Sequence, residues 1–287
     1  MQFAAKLRRE LAELARKYAA QNSLPHSITY GDDPTVCFTT YENNLRHGNF
    51  QAKSYQAILA NRQWEQRLKK VHTLSARCLP RFDRRWRELD SCSSSDALLM
   101  NIFCHPKLSQ SGKLSAFLSV ESKAPLCFGY KAKVPLVSGR FDRTEIDLRL
   151  GELLVEAKLT ENDFRSARLQ TLLTYRDLSE VFHYEDLPRR DDSYDSYQLI
   201  RNVLAAHALN CSFCLLVDAR RPDLIDDWYQ VMKCVKLLEL RTRLRIATWQ
   251  ELARVTTPQV TRFLASKYGI SAPRFGAPLT PHLLAIS

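Results

Sequence analysis

The chain has 287 residues, of which 45% are hydrophobic and 25% are charged, and these are ordinary values for a globular protein with a substantial core. No apolar run of about 18 residues is present, which argues against a membrane-spanning helix. The formal net charge is +11, so a polyanion such as nucleic acid is the expected partner.

The N-terminal part of the sequence predicts helices and loops. Residues 1–20 carry apolar side chains at the spacing of one helix face, without the continuous apolar stretch of a signal peptide, so we expect a cytoplasmic protein. Residues 22–44 predict a loop with one short strand around Cys37, and residues 55–74 predict a second helix. We expect residues 1–90 to form a helical, basic region that packs on the core.

A basic stretch ends this region. Residues 61–90 contain nine Lys or Arg and four acidic residues, with Trp64 and Trp86 among them. Basic side chains with interleaved aromatic residues are typical of surfaces that follow phosphates. The alternative is a solvated surface that its tryptophans anchor to the core. The candidate DNA contacts are Arg81, Arg84, Arg85 and Arg87.

The rest of the chain alternates helices and strands. A serine cluster ending at Asp96 predicts a helix N-terminus, and residues 189–192 predict a polar loop. Further helices are predicted at 97–103, 161–182, 194–209, 222–237 and 250–268, and strands at 126–134, around Asp147, up to Glu156, at 213–217 and at 243–249. Without insertions the order is α-β-β-β-α-β, which predicts an α/β (α+β) fold with a mixed sheet, and a tail at residues 271–287.

Residues 144–158 form the most informative segment. Charged and aliphatic residues alternate up to Leu150, and the apolar pattern resumes after Gly151, which predicts two antiparallel strands joined by a two-residue turn. Counting back from this turn places Asp147 opposite Glu156. Directly opposed carboxylates have Cβ atoms about 5 Å apart and repel each other. A divalent cation would resolve that repulsion, because Mg²⁺ is commonly held by one or two carboxylates, water and substrate phosphates.

Strand alternation also sorts the side chains of this hairpin. One face is predicted to carry Glu145, Asp147, Glu156 and Lys158, and the other Ile146, Leu148, Val155 and Ala157. Residues 153–155 are apolar on both faces, which favours a central strand. The alternative is a surface hairpin whose exposed Glu–Lys pair is worth only about 0–1 kcal/mol.

Asp147, followed nine positions later by Glu156, Ala157 and Lys158, resembles the motif of the PD-(D/E)XK nucleases. Their restriction-endonuclease-like fold has this α-β-β-β-α-β core, here at residues 91–270 with helical N-terminal and C-terminal additions. The resemblance implies that Asp147 and Glu156 bind Mg²⁺ or Mn²⁺ with help from the Ala157 carbonyl. It also implies that Lys158 orients the attacking water. Ile146 replaces the family's Pro, at a position that contributes backbone rather than chemistry.

A second element of the resemblance lies on the predicted helix at 194–209. Gln198 and Arg201 are three residues apart and share a helix face, and in several branches of the superfamily such residues face the active site. Gln198 could hold a water or phosphate, and Arg201 could bind phosphate oxygens. Gln170 and Tyr175 are an alternative, similar to the glutamine–tyrosine element of RecB-type nucleases but spaced one residue further apart. Asp96 is either a helix-capping residue or an additional acid near the metal.

These expectations describe a Mg²⁺-dependent deoxyribonuclease that acts on DNA as an endonuclease. Enzymes that cut both strands often pair two active sites, so a homodimer is an open option. Two alternatives to this function also stay open. One is a nuclease fold kept without turnover, as a DNA-binding or assembly protein, and the other is a nuclease directed at RNA.

Overall fold

Helices and short strands alternate along the chain, and the computed structural model describes residues 2–31, 33–71 and 81–273. The α-helices in this part are α1 (Gln2–Gln21), α2 (Ala52–Ala60), α3 (Arg62–Arg67), α4 (Ser95–Phe103), α5 (Gly112–Leu118), α6 (Leu169–Leu172), α7 (Leu178–Val181), α8 (Tyr197–Ala208), α9 (Pro222–Met232), α10 (Leu238–Arg241), α11 (Trp249–Ala253) and α12 (Pro258–Tyr268). The strands are β1 (His26–Ile28), β2 (Val36–Phe38), β3 (Thr40–Tyr41), β4 (Arg46–His47), β5 (Leu126–Lys131), β6 (Val134–Pro135), β7 (Phe141–Asp142), β8 (Glu145–Leu150), β9 (Leu153–Ala157), β10 (Ala167–Arg168), β11 (Arg189–Arg190), β12 (Ser193–Tyr194), β13 (Ser212–Val217) and β14 (Leu244–Thr248). None of the helices described here is long and apolar enough to cross a membrane.

A five-stranded mixed sheet lies at the centre, in the order β14-β13-β9-β8-β5. The middle strand β9 runs parallel to β13 and antiparallel to β8. Every residue of β9 is buried, as its apolar residues predicted for a central strand. One apolar cluster, to which α8 and α9 contribute, and a second, to which α1, α4 and α12 contribute, pack on the sheet. The predicted α/β class with a mixed sheet is therefore confirmed.

The hairpin of β8 and β9 has the predicted register. Leu150 pairs with Leu153 across the turn, and Leu148 pairs with Val155. The pairing ends there, so the predicted pair of Asp147 with Glu156 is not among the paired residues. Gly151 has φ +57, a left-handed conformation that glycine adopts without steric cost. The sequence therefore located both strands and the turn correctly.

One part of the predicted alternation is wrong, because Ile146 and Leu148 do not share an apolar cluster. Ile146 belongs to the cluster that includes α8, and Leu148 belongs to the cluster that includes α4. In the neighbouring strand β5, Gly129 has φ +64 between the paired residues Phe128 and Tyr130, and the register with β8 is the same on both sides of it. The pairing of β8 with β9 ends at Leu148 and Val155, and the packing of β8 changes at this position.

The predicted helix at 161–182 is wrong. Residues 161–166 are irregular, and only β10 and the one-turn helices α6 and α7 follow. The buried Arg221 donates hydrogen bonds to the carbonyl oxygens of Glu161 at 2.6 Å and Asn162 at 3.2 Å. The Glu161 carboxylate accepts the Leu159 N–H at 2.6 Å. These tertiary contacts fix the segment outside a helix, so Glu161 does not lie in a helical first turn.

Two smaller predictions also change. The helix predicted at 55–74 is interrupted at Asn61, whose side chain accepts hydrogen bonds from the N–H groups of Gln63 and Trp64 and so caps α3. Residues 189–192, predicted as a loop, include β11 and the turn of a hairpin with β12. Asp191 in that turn has φ +50.

The N-terminal region shares its core with the C-terminal helices. Leu7 and Leu11 of α1 lie in the same apolar cluster as Leu264 of α12. The buried Lys267 donates a hydrogen bond of 2.8 Å to the carbonyl oxygen of Asn49. The helical N-terminal region therefore packs directly on the rest of the chain, while the domain division at residue 90 stays a prediction.

We expect Gly129→Ala to destabilise the protein more than Gly139→Ala. Both glycines are left-handed, with φ +64 and +76, so each substitution carries a backbone cost of about 1–2 kcal/mol. A Cβ on residue 129 would in addition lie 2.2 Å from Arg67 Nη1 and 2.9 Å from the Glu145 carboxyl, whereas a Cβ on residue 139 meets nothing within 4 Å. The midpoint of urea unfolding measures the difference. Equal midpoints for the two variants would contradict the close packing described at Gly129.

Candidate active site

Polar side chains converge where the central strand β9 ends. Glu156 is in β9 and Lys158 follows it directly. The Lys158 backbone is held from two sides, because its N–H donates to the Leu216 carbonyl at 2.8 Å and its carbonyl accepts from Trp249 Nε1 at 2.9 Å. The lysine backbone is thus positioned by β13 and by α11.

Glu156 is almost completely buried, with 1% of its surface exposed. Its Oε1 lies 3.0 Å from Lys158 Nζ and also accepts a hydrogen bond from Gln198 Nε2. Its Oε2 accepts a hydrogen bond of 2.9 Å from Asn202 Nδ2. A buried carboxylate is tolerated when a partner charge and additional donors satisfy it, and here a lysine and two amides from α8 do so.

Lys158 closes a triangle with Glu156 and Gln198, since its Nζ donates to Gln198 Oε1 at 2.8 Å. Burial disfavours the charged form of this lysine, but attraction to Glu156, Glu161 and Asp147 outweighs burial and raises the pKa of Lys158. The ammonium group therefore stays charged at neutral pH. The Phe164 ring, whose centroid is 5.7 Å from Nζ, also favours the cation.

Asp147 lies next to this triangle on β8. The paired residues of β8 and β9 end at Leu148 and Val155. Beyond this point Asp147 Oδ2 accepts the Ala157 N–H at 2.8 Å. Burial raises the pKa of Asp147 well above its usual range, and repulsion from Glu156 and Asp96 adds to that shift. The carboxylate of Asp147 therefore favours a proton or a cation beside it.

The donor atoms at this site suit a hard divalent cation. Asp147 and Glu156 supply carboxylate oxygens, and burial, together with repulsion from Glu156, raises the pKa of Asp147. In the part of the chain that the structure describes, no group of three or more His, Cys, Asp or Glu could hold a metal ion. A cation here would therefore depend on two carboxylates, backbone oxygen and ligands from outside the protein, a set that Mg²⁺ commonly uses.

An ion-pair network from the N-terminal region borders the site. Asp96 Oδ2 lies 2.9 Å from Arg67 Nη2 and 2.5 Å from Lys70 Nζ. Arg67 Nη1 also lies 2.6 Å from Glu145 Oε1. The capping residue of α4 is Ser94, which accepts the Ala97 N–H at 3.1 Å, so Asp96 acts instead as the partner of two cations. No local sequence pattern predicts the approach of Arg67 and Lys70, which are distant along the chain from Asp96 and Glu145.

Helix α8 contributes Gln198, Arg201 and Asn202. The two residues predicted to face the site have different surroundings. Gln198 contacts Glu156 and Lys158, whereas Arg201 is buried, with only 2% of its surface exposed. Arg201 Nη2 donates to Asn202 Oδ1 at 2.7 Å and to the Glu145 carbonyl at 3.2 Å. Sequence reasoning missed Asn202, although its spacing of four from Gln198 places both on one helix face.

The other candidate residues lie elsewhere. Tyr175 donates to Asp142 Oδ2 at 2.6 Å, and Gln170 is exposed. The arginines predicted to contact DNA, which are Arg81, Arg84, Arg85 and Arg87, are all exposed. The Arg85 guanidinium lies 4.7 Å from the ring centroid of the buried Trp86. Both interpretations of this stretch stay open, and Arg77 lies outside the described residues.

We expect Asp147→Asn to stabilise the metal-free protein. A raised pKa in the folded state means that the folded protein binds more protons than the unfolded chain, so the free energy of unfolding falls as the pH rises toward that pKa. Asparagine removes the charge and keeps an oxygen that can accept the Ala157 N–H. At about pH 8 without divalent metal, the gain should be about 1 kcal/mol, the size of a repulsion between opposed charges.

Thermal unfolding at about pH 5 and about pH 8 measures this effect, and the Tm of the variant should vary less between them than the Tm of the wild type. Asp191→Asn, in the exposed turn between β11 and β12, is the matched control and should behave as the wild type does. A lower Tm for Asp147→Asn than for wild type at the higher pH would contradict the repulsion inferred here.

Comparison with known proteins places the chain in a family. Searches of curated proteins and of solved structures found no significant match. A sequence profile of one protein family matches residues 13–269, which is most of the chain. The chain therefore belongs to the family described as restriction endonuclease associating with ARP.

Proposed function

We propose that this chain is a metal-dependent nuclease that hydrolyses DNA phosphodiester bonds as an endonuclease, with a restriction-endonuclease-like PD-(D/E)XK core. The observation that carries the proposal is the arrangement at the end of β9. Burial and repulsion from Glu156 raise the pKa of Asp147 there, and Lys158 Nζ lies 3.0 Å from Glu156 Oε1. The family description, which names a restriction endonuclease, supports DNA as the substrate.

Asp147, Glu156 and the Ala157 carbonyl would hold Mg²⁺ or Mn²⁺. When bound, such a cation polarises a phosphate oxygen and lowers the pKa of a coordinated water. Gln198 and Asn202 fix both carboxylate oxygens of Glu156, which reduces the rearrangement needed at that ligand. Supporting hydrogen bonds of this kind typically contribute about 10-fold to 100-fold to metal affinity or activity.

Lys158 would orient the attacking water and offset charge on the phosphate. An ammonium group has three N–H donors. Two of those on Lys158 bind Glu156 and Gln198, and the third is left for water or a phosphate oxygen. The raised pKa keeps this group cationic at neutral pH. Lys158 therefore acts by holding a positive charge and a donor in place rather than by accepting a proton.

The proposal also covers the contacts to DNA, the cellular location and the oligomeric state. The exposed arginines at positions 81, 84, 85 and 87 are proposed phosphate contacts. Arg201 is proposed to hold Asn202 in place through its hydrogen bond, in addition to the predicted binding of phosphate oxygens. We further propose a cytoplasmic location. A homodimer would place two such sites on the two strands of a duplex.

Lys158→Met is expected to reduce DNA cleavage at least about 100-fold, a typical loss when one transition-state donor is removed. Methionine keeps a flexible apolar stem in the buried position. Cleavage of supercoiled plasmid under single-turnover conditions, in Mg²⁺ or Mn²⁺, measures the rate. Lys113→Met, on an exposed face of α5, is the matched control and should cleave as the wild type does.

Circular dichroism establishes that both variants fold. If folded Lys158→Met and wild type cleave at the same rate, the proposed chemistry is wrong. If neither cleaves but both bind DNA, the nuclease fold serves binding or assembly instead.

A further inference from the structure

A short hairpin between β5 and β8 carries exposed basic side chains. It consists of β6, β7 and their flanks, residues 131–143, and is called the basic hairpin below. Its basic residues are Lys131, Lys133, Arg140 and Arg143, all of them exposed. The sole acidic residue within 131–143 is Asp142. The hairpin therefore has a strongly positive balance.

The basic hairpin leaves the central sheet at the end that carries the candidate active site. Lys131, the last residue of β5, pairs with Glu145 of β8. Asp147 lies two positions further along β8. The hairpin thus begins within a few residues of the carboxylate that we propose as a metal ligand.

Strand alternation directs its lysines outward. Ala132 and Val134 are 1% and 3% exposed and belong to the apolar cluster that includes α8. Lys131 and Lys133 alternate with them and are exposed. The apolar residues hold the hairpin on the core, and the two ammonium groups lie on its outer surface.

The hairpin is also firmly attached. The Val137 N–H donates to the Thr174 carbonyl at 2.9 Å, and the Arg176 N–H donates to the Pro135 carbonyl at 3.1 Å. Asp142 accepts from the Tyr175 hydroxyl at 2.6 Å. The one acidic side chain is therefore engaged with the protein, which leaves the basic groups to dominate the outer surface.

Apolar side chains accompany the cations. Val137 and Phe141 are 68% and 48% exposed, and an exposed aromatic ring next to basic side chains is typical of surfaces that contact nucleotides. No ion pair in the described part of the chain involves Lys131, Lys133, Arg140 or Arg143. These groups are available to an external anion.

A cavity lined by residues from the segments 163–171 and 189–196 and by Asp227 provides a useful contrast. It has a volume of about 950 Å³ and is lined by both signs of charge, with four arginines and five aspartates. Arg190 and Asp195 in it form an ion pair at 3.1 Å. Opposite charges cancel there, so a polyanion is favoured by the basic hairpin and not by this cavity.

We propose that the basic hairpin is a docking surface for the phosphate backbone of DNA, next to the bond that is cleaved. The proposal rests on the proposed nuclease function for the identity of the polyanion. Lys131, Lys133, Arg140 and Arg143 contact phosphates, and Phe141 contacts a sugar or base. Because phosphate contacts release counterions, each contact makes the affinity more sensitive to salt.

The experiment compares full-length Arg140→Gln/Arg143→Gln with wild type. The dissociation constant for a fluorescein-labelled DNA duplex is measured by anisotropy at several NaCl concentrations, in EDTA so that cleavage does not occur. Each lost contact flattens the slope of log affinity against log salt by about 0.9, so the variant should lose about 1.8. Circular dichroism should be unchanged, because both arginines are exposed.

Lys123→Gln/Arg241→Gln is the matched control with the same change of charge. Both residues are exposed and lie near the other end of the sheet, Lys123 before β5 and Arg241 before β14. Its salt slope should equal that of wild type. Equal slopes for all three proteins, an equal loss in both variants, or no DNA binding by wild type would each overturn the docking surface.

Cleavage assays separate this inference from the proposed function. If the slope falls only in Arg140→Gln/Arg143→Gln while Lys158→Met still cleaves as the wild type does, the docking surface stands and the proposed catalysis is wrong. If the slopes are equal while cleavage depends on Lys158, the docking surface is wrong and the catalysis stands.

Discussion

The burial of one carboxylate at the end of the central strand determines how the site is built. Glu156 is 1% exposed, and an ionised carboxylate in that position is costly unless charge and hydrogen bonds balance it. Lys158 supplies the charge, and Gln198 and Asn202 supply the donors. This requirement fixes the N-terminal half of α8 against β9, and α8 in turn covers one face of the sheet.

The second carboxylate is less well compensated. Asp147 accepts the Ala157 N–H, but burial and repulsion from Glu156 and Asp96 still raise its pKa. Arg67 and Lys70 neutralise Asp96 and Glu145 nearby. The protein thus balances the acids that surround Asp147 and leaves Asp147 itself in an unfavourable state. Functional sites are where such local conflicts are expected to persist.

The sequence predicted the features that depend on local rules. Alternation and the glycine turn located the hairpin and its register. The resemblance to the nucleases implied that Gln198 faces the site, and Gln198 contacts Glu156.

The features that the sequence did not predict depend on contacts between residues that are far apart along the chain. Arg67 meets Glu145 across 78 positions of the chain, and no local pattern reports that approach. Residues 161–166 are irregular although their spacing predicts a helix, because hydrogen bonds from Arg221 hold their backbone. Ile146 and Leu148 lie in different apolar clusters, and the pairing of β8 with β9 ends at Leu148. Tertiary contacts override local sequence preferences of this kind.

Calorimetric titration with Mn²⁺ measures whether Asp147 and Glu156 bind a divalent cation. Wild type is compared with Glu156→Gln and with the control Glu152→Gln, whose side chain is 75% exposed in the turn after β8. We expect one site per chain in wild type and control, and affinity reduced at least about 10-fold in Glu156→Gln. Equal affinity in Glu156→Gln and wild type, or no binding by wild type, would contradict the account.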